Sequence, residues 1–150
     1  MANTYSQCFY HFVFSTKERA KLIVPGIEER VWEYMGGILR NHGMSGVQIG
    51  GIDDHIHALT LAKPANAPSQ IAQLIKAETS KWVHDEFPGM ERFAWQDGYA
   101  VFTVSRSIVP KVVEYIKDQR EHHSVKSFED EYVDLLKLHE VEYDERYLLG

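Results

Sequence analysis

The sequence has almost no cysteine. Cys8 stands alone among 150 residues, so no internal disulfide can form, and a reducing cytoplasm is the simplest setting. No apolar run approaches the ~20 residues that a membrane-spanning helix needs, and the N-terminus lacks a signal-peptide pattern. Internal repeats, low-complexity tracts and long linkers are absent too. Positive charge is also short: the net charge is −6. That balance excludes strong non-specific binding to duplex DNA.

The charge is unevenly placed. Residues 1–120 carry 13 Lys/Arg and 13 Asp/Glu, whereas residues 121–150 carry 3 and 9. A neutral body with local basic spots thus precedes an acidic C-terminal extension, about 124–150. The length suits one domain, 1–150, able to bury roughly two-thirds of its unfolded surface.

Aromatic and β-branched residues make Tyr10–Ser15 a strand, followed by a loop holding Lys17, Arg19 and Lys21. Ile27, Val31, Tyr34 and Ile38 have helical spacing, and Gly43 ends a helix over 27–42. Ser45–Ile52 and His55–Leu61 read as strands joined at a turn by Asp53 and Asp54. Ser69 is the expected N-cap of a helix over 70–86, with Ile71, Leu74, Ile75 and Trp82 inward. A strand over 99–105, a helix from 107–110 to about His122 and a last helix over 128–138 complete the chain. The order β-α-β-β-α-β-α predicts an α+β fold: a ferredoxin-like split βαβ sandwich, its antiparallel sheet carrying helices on one face, with C-terminal helices added.

Two constellations carry chemistry. Successive strand residues alternate in direction, so His55 and His57 share one face while Ile56 takes the other. Two imidazoles placed so chelate one metal ion; the plain alternative is a pair of surface histidines. Tyr115 and Gln119 lie one helical turn apart on one face, beside the apolar stripe of Val109, Val113 and Ile116. The plain alternative here is a rim tyrosine. Together the four suggest more. A phenol of ordinary pKa near 10 must be activated before it attacks a phosphodiester. A divalent metal on the histidines, with Gln119 as an oxygen ligand, polarises the phosphate.

Asp54-His55-Ile56-His57 and Tyr115-Ile116-Lys117-Asp118-Gln119 resemble the two signatures of the single-tyrosine transposases of small bacterial insertion sequences. These belong to the His-hydrophobic-His (HUH) endonuclease superfamily and include relatives associated with repeated palindromic elements. Phe14-Ser15-Thr16-Lys17, the stretch from Gly36 to Gly43 and Tyr143-Asp144-Glu145-Arg146-Tyr147 support the resemblance, which runs from about Tyr5 to Gly150. It implies that Tyr115 attacks single-stranded DNA, forming a 5′-phosphotyrosine and a free 3′-OH, and that a second 3′-OH reverses the step. It implies hairpin-bearing DNA as partner, and Mg²⁺ or Mn²⁺ held by His55, His57 and Gln119. Imidazole suits softer ions and Mg²⁺ prefers oxygen, so manganese reconciles the two. It also implies a homodimer, in which the tyrosine helix of one subunit can complete the site of the other.

Lys17 and Arg19 are candidate phosphate contacts or a solvated loop. Lys76 and Ser80 share one helix face, and the resemblance implies hairpin contacts near there; the plain alternative is a role without DNA. Asp54 orients a ligand imidazole or merely forms the turn. Two rival functions stand beside transposition. One is a non-catalytic RNA- or DNA-binding module, although the strand over 99–105 lacks the basic-Gly-aromatic pattern of the common RNA-binding sheet. The other is a metal-dependent hydrolase with no covalent step.

Overall fold

A computed structural model describes residues 3–149. Met1, Ala2 and Gly150, at the ends of the expected 1–150 domain, lie outside the described residues, and Gly150 is also the last residue of the resemblance. The sheet comprises β1 (Cys8–Ser15), β2 (Ser45–Ile52), β3 (His55–Ala62) and β4 (Ala100–Val104). Its order is β2-β3-β1-β4 with every neighbour antiparallel, the order of a split βαβ sandwich.

Strand alternation sorts the side chains between two layers. Phe12 and Phe14 of β1 join Ile56 and Ala58 of β3 on one face. There they bury Val31, Met35 and Leu39 of α1 (Glu28–Asn41) and Ile71 and Ile75 of α2 (Pro68–Glu86). The other face receives the C-terminal elements α3 (Val109–Lys117), α4 (Gln119–His122) and α5 (Phe128–Leu138). Val109 and Ile116 of α3 pack on Phe9 and Leu59. Phe128, Tyr132 and Leu136 of α5 pack on Val13 and Phe102. The two long helices keep to one face as expected, and the added helices close the other. His55 and His57 therefore lie under a lid of helix, each with 0% exposure.

Several boundaries differ from expectation. The second long helix begins at Pro68 rather than after Ser69, because a proline in the first turn forfeits no intrahelical bond. Ala67 takes the cap position without a side-chain bond. Trp82 is only partly buried and stacks on Tyr34, with ring centroids 4.4 Å apart. The expected continuous helix to His122 breaks at Asp118, whose N–H closes α3 on the Glu114 carbonyl.

Two glycines position the site. A Cβ on Gly50 would lie 3.0 Å from Ile116 Cγ2 and 3.2 Å from its carbonyl oxygen, so glycine lets α3 lie directly on β2. Gly51 has φ +149° and leaves no room for a Cβ, which would fall 2.2 Å from the His55 oxygen. Glycine there permits the tight hairpin that starts β3 at His55.

Candidate metal and tyrosine site

The two sequence pairs meet within one chain. His55 Nε2 faces Gln119 Oε1 at 2.8 Å, and His57 Nε2 faces Glu131 Oε1 at 3.1 Å. The Tyr115 hydroxyl donates to Glu131 Oε2, and Gln119 Nε2 donates to the same oxygen at 3.0 Å. The helix break is part of this arrangement. Past Asp118 the Gln119 side chain turns inward, and its amide donates to the Tyr115 carbonyl at 3.3 Å. A backbone group freed at a helix end is so repaired by a side chain. No second subunit is needed to bring tyrosine, glutamine and histidines together.

Asp54 stands where the sequence suggested: its Oδ1 accepts from His55 Nδ1 at 2.7 Å. Three further residues, Glu131, His123 and His11, join them. Glu131 on α5 is 1% exposed and touches Tyr115, Gln119, His57 and His123. Its signal was a charged residue inside the buried stripe Phe128, Tyr132, Leu136. His123 Nε2 lies 3.0 Å from both Gln119 Oε1 and Glu131 Oε1. His11 Nε2 lies 2.8 Å from His57 Nδ1. His11 alternates with Phe9 and Val13 on β1, which assigns it to the histidine face.

Burial is the largest influence on Tyr115 and raises its pKa; the facing Glu131 carboxylate raises it further. The phenol is therefore protonated in this arrangement. Burial opposes ionisation of Glu131, but the imidazoles of His57, His123 and His55 outweigh it and hold the carboxyl far below its usual range. Burial also lowers His57 and His11, despite the opposing Glu131 charge. His123 is lowered by burial yet raised on balance by its hydrogen bond to Glu131 and the carboxylate charge.

The donor set fits a divalent ion. Ligand atoms of His55, His57 and Glu131 all lie within 4.8 Å of one another, and His122, His123 and Glu131 form an overlapping group. Gln119 Oε1 adds a neutral oxygen beside His55. Two imidazoles with two oxygens suit an ion between the hard and soft extremes.

The expected DNA contacts lie elsewhere. Lys76 and Ser80, with Gln73, Trp95 and Tyr99, line a cavity of about 410 Å³ along α2. Lys76 Nζ is already bonded to the carbonyls of Gln96, Asp97 and Gly98 at 2.6, 3.2 and 3.0 Å. Arg19 faces Glu129 of α5 at 3.8 Å. Lys17 lines an adjoining cavity with Gln96 and Arg146.

The family profile described as "Transposase IS200 like" matches residues 4–119. The chain belongs to the IS200-like transposase family. It is 21% identical over 120 residues to the ISDra2 transposase TnpA of Deinococcus radiodurans, spanning 77% of this chain and 86% of that protein. It is 29% identical over 126 residues to the transposase for insertion sequence element IS200 of Salmonella typhimurium, spanning 81% and 82%. A crystal structure described as a transposase from Deinococcus radiodurans R1 superposes with TM-score 0.64 and 21% identity, covering 79% of this chain and 95% of that one. A REP-associated tyrosine transposase bound to a REP hairpin superposes with TM-score 0.59 and 15% identity, covering 82% and 73%. As an IS200-like transposase the chain is a DNA-cleaving enzyme. Among the described residues no helix is long and apolar enough to cross a membrane.

Proposed function

We propose that this IS200-like transposase cleaves and rejoins single-stranded DNA through a 5′-phosphotyrosine on Tyr115. The observation that carries this reading is the convergence of Tyr115, Gln119 and His57 of one chain on the Glu131 carboxylate, with His55 joined through Gln119. His55, His57, Gln119 and Glu131 would hold a divalent cation, Mg²⁺ or Mn²⁺. When bound, that ion supplies charge to polarise the scissile phosphate.

The chain's own residues do the rest. Tyr115 Oη gives up its proton to water and bonds to phosphorus as the P–O3′ bond breaks, and the leaving oxygen takes a proton from water to become the 3′-OH. The phosphodiester energy is retained in the phosphotyrosine, so rejoining by a second 3′-OH needs no ATP. Attack requires the Tyr115–Glu131 hydrogen bond to break, because that bond and burial keep the phenol protonated. Asp54 orients His55 by accepting from Nδ1.

The substrate reading is hairpin-bearing DNA, supported by the hairpin in the similar tyrosine transposase structure. Ser80, Lys76 and the aromatic Trp95 and Tyr99 around the α2 cavity suit a looped strand, and Lys17 with Arg19 suits its phosphates. The acidic tail must shift its charge from Arg19 for that contact to form. A homodimer remains compatible with this reading, although it is not needed to complete the site. The non-catalytic nucleic-acid module leaves the buried group of tyrosine, carboxylate and imidazoles without a role.

The test is incubation with single-stranded DNA containing short palindromes from around the coding region, with Mn²⁺, followed by a denaturing gel. A covalent protein–DNA band is expected, lost in Tyr115→Phe and with chelator. Cleavage by Tyr115→Phe without an adduct would instead establish a metal-dependent hydrolase.

A further inference from the structure

The two candidate ligand histidines are held differently on the side away from Glu131. His55 Nδ1 meets Asp54 Oδ1, a carboxylate oxygen that accepts only. His57 Nδ1 meets another imidazole, His11 Nε2, at 2.8 Å. His11 is 4% exposed and His57 0%, so water does not mediate this contact. One proton sits between the two nitrogens, and either ring can own it.

The Glu131 side decides which ring does. Its carboxylate Oε1 faces His57 Nε2 at 3.1 Å, so a neutral His57 carries its proton on Nε2. Its Nδ1 is then bare and accepts from His11 Nε2–H. A cation at His57 Nε2 needs the lone pair there. The His57 proton must then sit on Nδ1, and His11 must accept it at Nε2 and carry its own proton on Nδ1. His11 also lines a cavity of about 520 Å³ with Tyr115 and Lys111.

We propose that His11 is a positioning residue whose reversal from donor to acceptor sets the metal-binding tautomer of His57; this rests on the metal reading above. The pair holds two protons before and after, so none is gained or lost: one leaves His57 Nε2 and one appears on His11 Nδ1. Asp54 cannot reverse, which presets His55. A carboxylate in place of His11 would also preset His57, but would add a second buried negative charge near Glu131.

Two measurements test this. Ring ¹⁵N–¹H correlation spectra of the metal-free protein are expected to show His57 and His11 both protonated at Nε2. Saturation with Zn²⁺, a diamagnetic probe, is expected to move both protons to Nδ1. In calorimetric titration, His11→Phe is expected to weaken Mn²⁺ binding by roughly 10–100-fold. His11→Gln, whose amide can donate or accept, is expected to recover most of the loss. An unchanged His11 tautomer at Zn²⁺ saturation overturns the proposal, as does a folded His11→Phe with the parent affinity. Should His11→Phe not fold, the spectra of the parent protein decide alone. Failure of the parent protein to bind either ion would overturn the metal reading itself, and this proposal with it.

Discussion

Glu131 bridges the two halves of the site: one carboxylate oxygen accepts from the Tyr115 hydroxyl while the other faces His57 Nε2 at 3.1 Å. A residue of the acidic C-terminal extension thus joins the proposed nucleophile to the candidate ligands. The extension's charge is partly internal to the site and not a surface feature alone.

This bridge makes Glu131→Gln informative. Loss of the charge is expected to lower the Tyr115 pKa, because the carboxylate raises it. It is also expected to weaken Mn²⁺ binding by 10-fold or more, on the order seen when a ligand or its support is lost. NMR titration of ¹³C-labelled tyrosine and electron paramagnetic titration of Mn²⁺ measure the two effects. A Tyr115 pKa that stays put would show that burial alone sets it.

Acid should destabilise the metal-free protein. The folded pKa values of His11 and His57 lie below the unfolded value of about 6.5. Below that pH the unfolded chain binds protons that the native rings refuse. Stability present above pH ~6.5 is therefore lost on acidification, by up to about 1.4 kcal/mol per pH unit for each ring. Glu131, also depressed, extends the loss into the carboxylate range. His123, raised on balance, opposes it, since its contribution is present at low pH and fades as pH rises through its folded pKa. Urea unfolding between pH 7.5 and 5, with chelator, is expected to show the midpoint falling, and falling less in His11→Phe. A flat profile would contradict the burial argument.

Gly50→Ala should push α3 off β2. The added methyl meets Ile116 at 3.0 Å and its backbone oxygen at 3.2 Å, which side-chain motion alone cannot relieve. Overpacking of this kind costs about 1–3 kcal/mol. Gly26→Ala, with nothing within 4 Å of its Cβ, is the control and should change stability by less than about 0.5 kcal/mol. Urea denaturation of both variants separates the two outcomes.

Much of this was legible in the sequence because it depended on period. Alternation in β3 placed His55 and His57 together, and the i, i+4 spacing paired Tyr115 with Gln119, although the helix breaks between them at Asp118. The sheet order followed from the element order. Glu131 and His11 were not legible because their roles arise from packing between distant segments: α5 on the sheet, and β1 beside β3. Each nevertheless broke a pattern, a charge in an apolar stripe and a histidine among buried strand residues. The break at Asp118 left no local signal, since no proline or glycine stands there.

The site's assembly within one chain has a direct functional consequence. His57→Ala and Tyr115→Phe each remove one half of the same site. Mixing the two variants is expected to restore no cleavage. Recovery of activity on mixing would show instead that tyrosine and histidines are shared between subunits.

Mass-spectrometric mapping of the protein–DNA adduct identifies the residue that attacks the phosphate. After reaction with 5′- and 3′-labelled single-stranded DNA in Mn²⁺, the account expects a nucleotide 5′-phosphate attached to the peptide bearing Tyr115 and a released strand ending in 3′-OH. Attachment to another residue, or cleavage with no attached peptide, would contradict it.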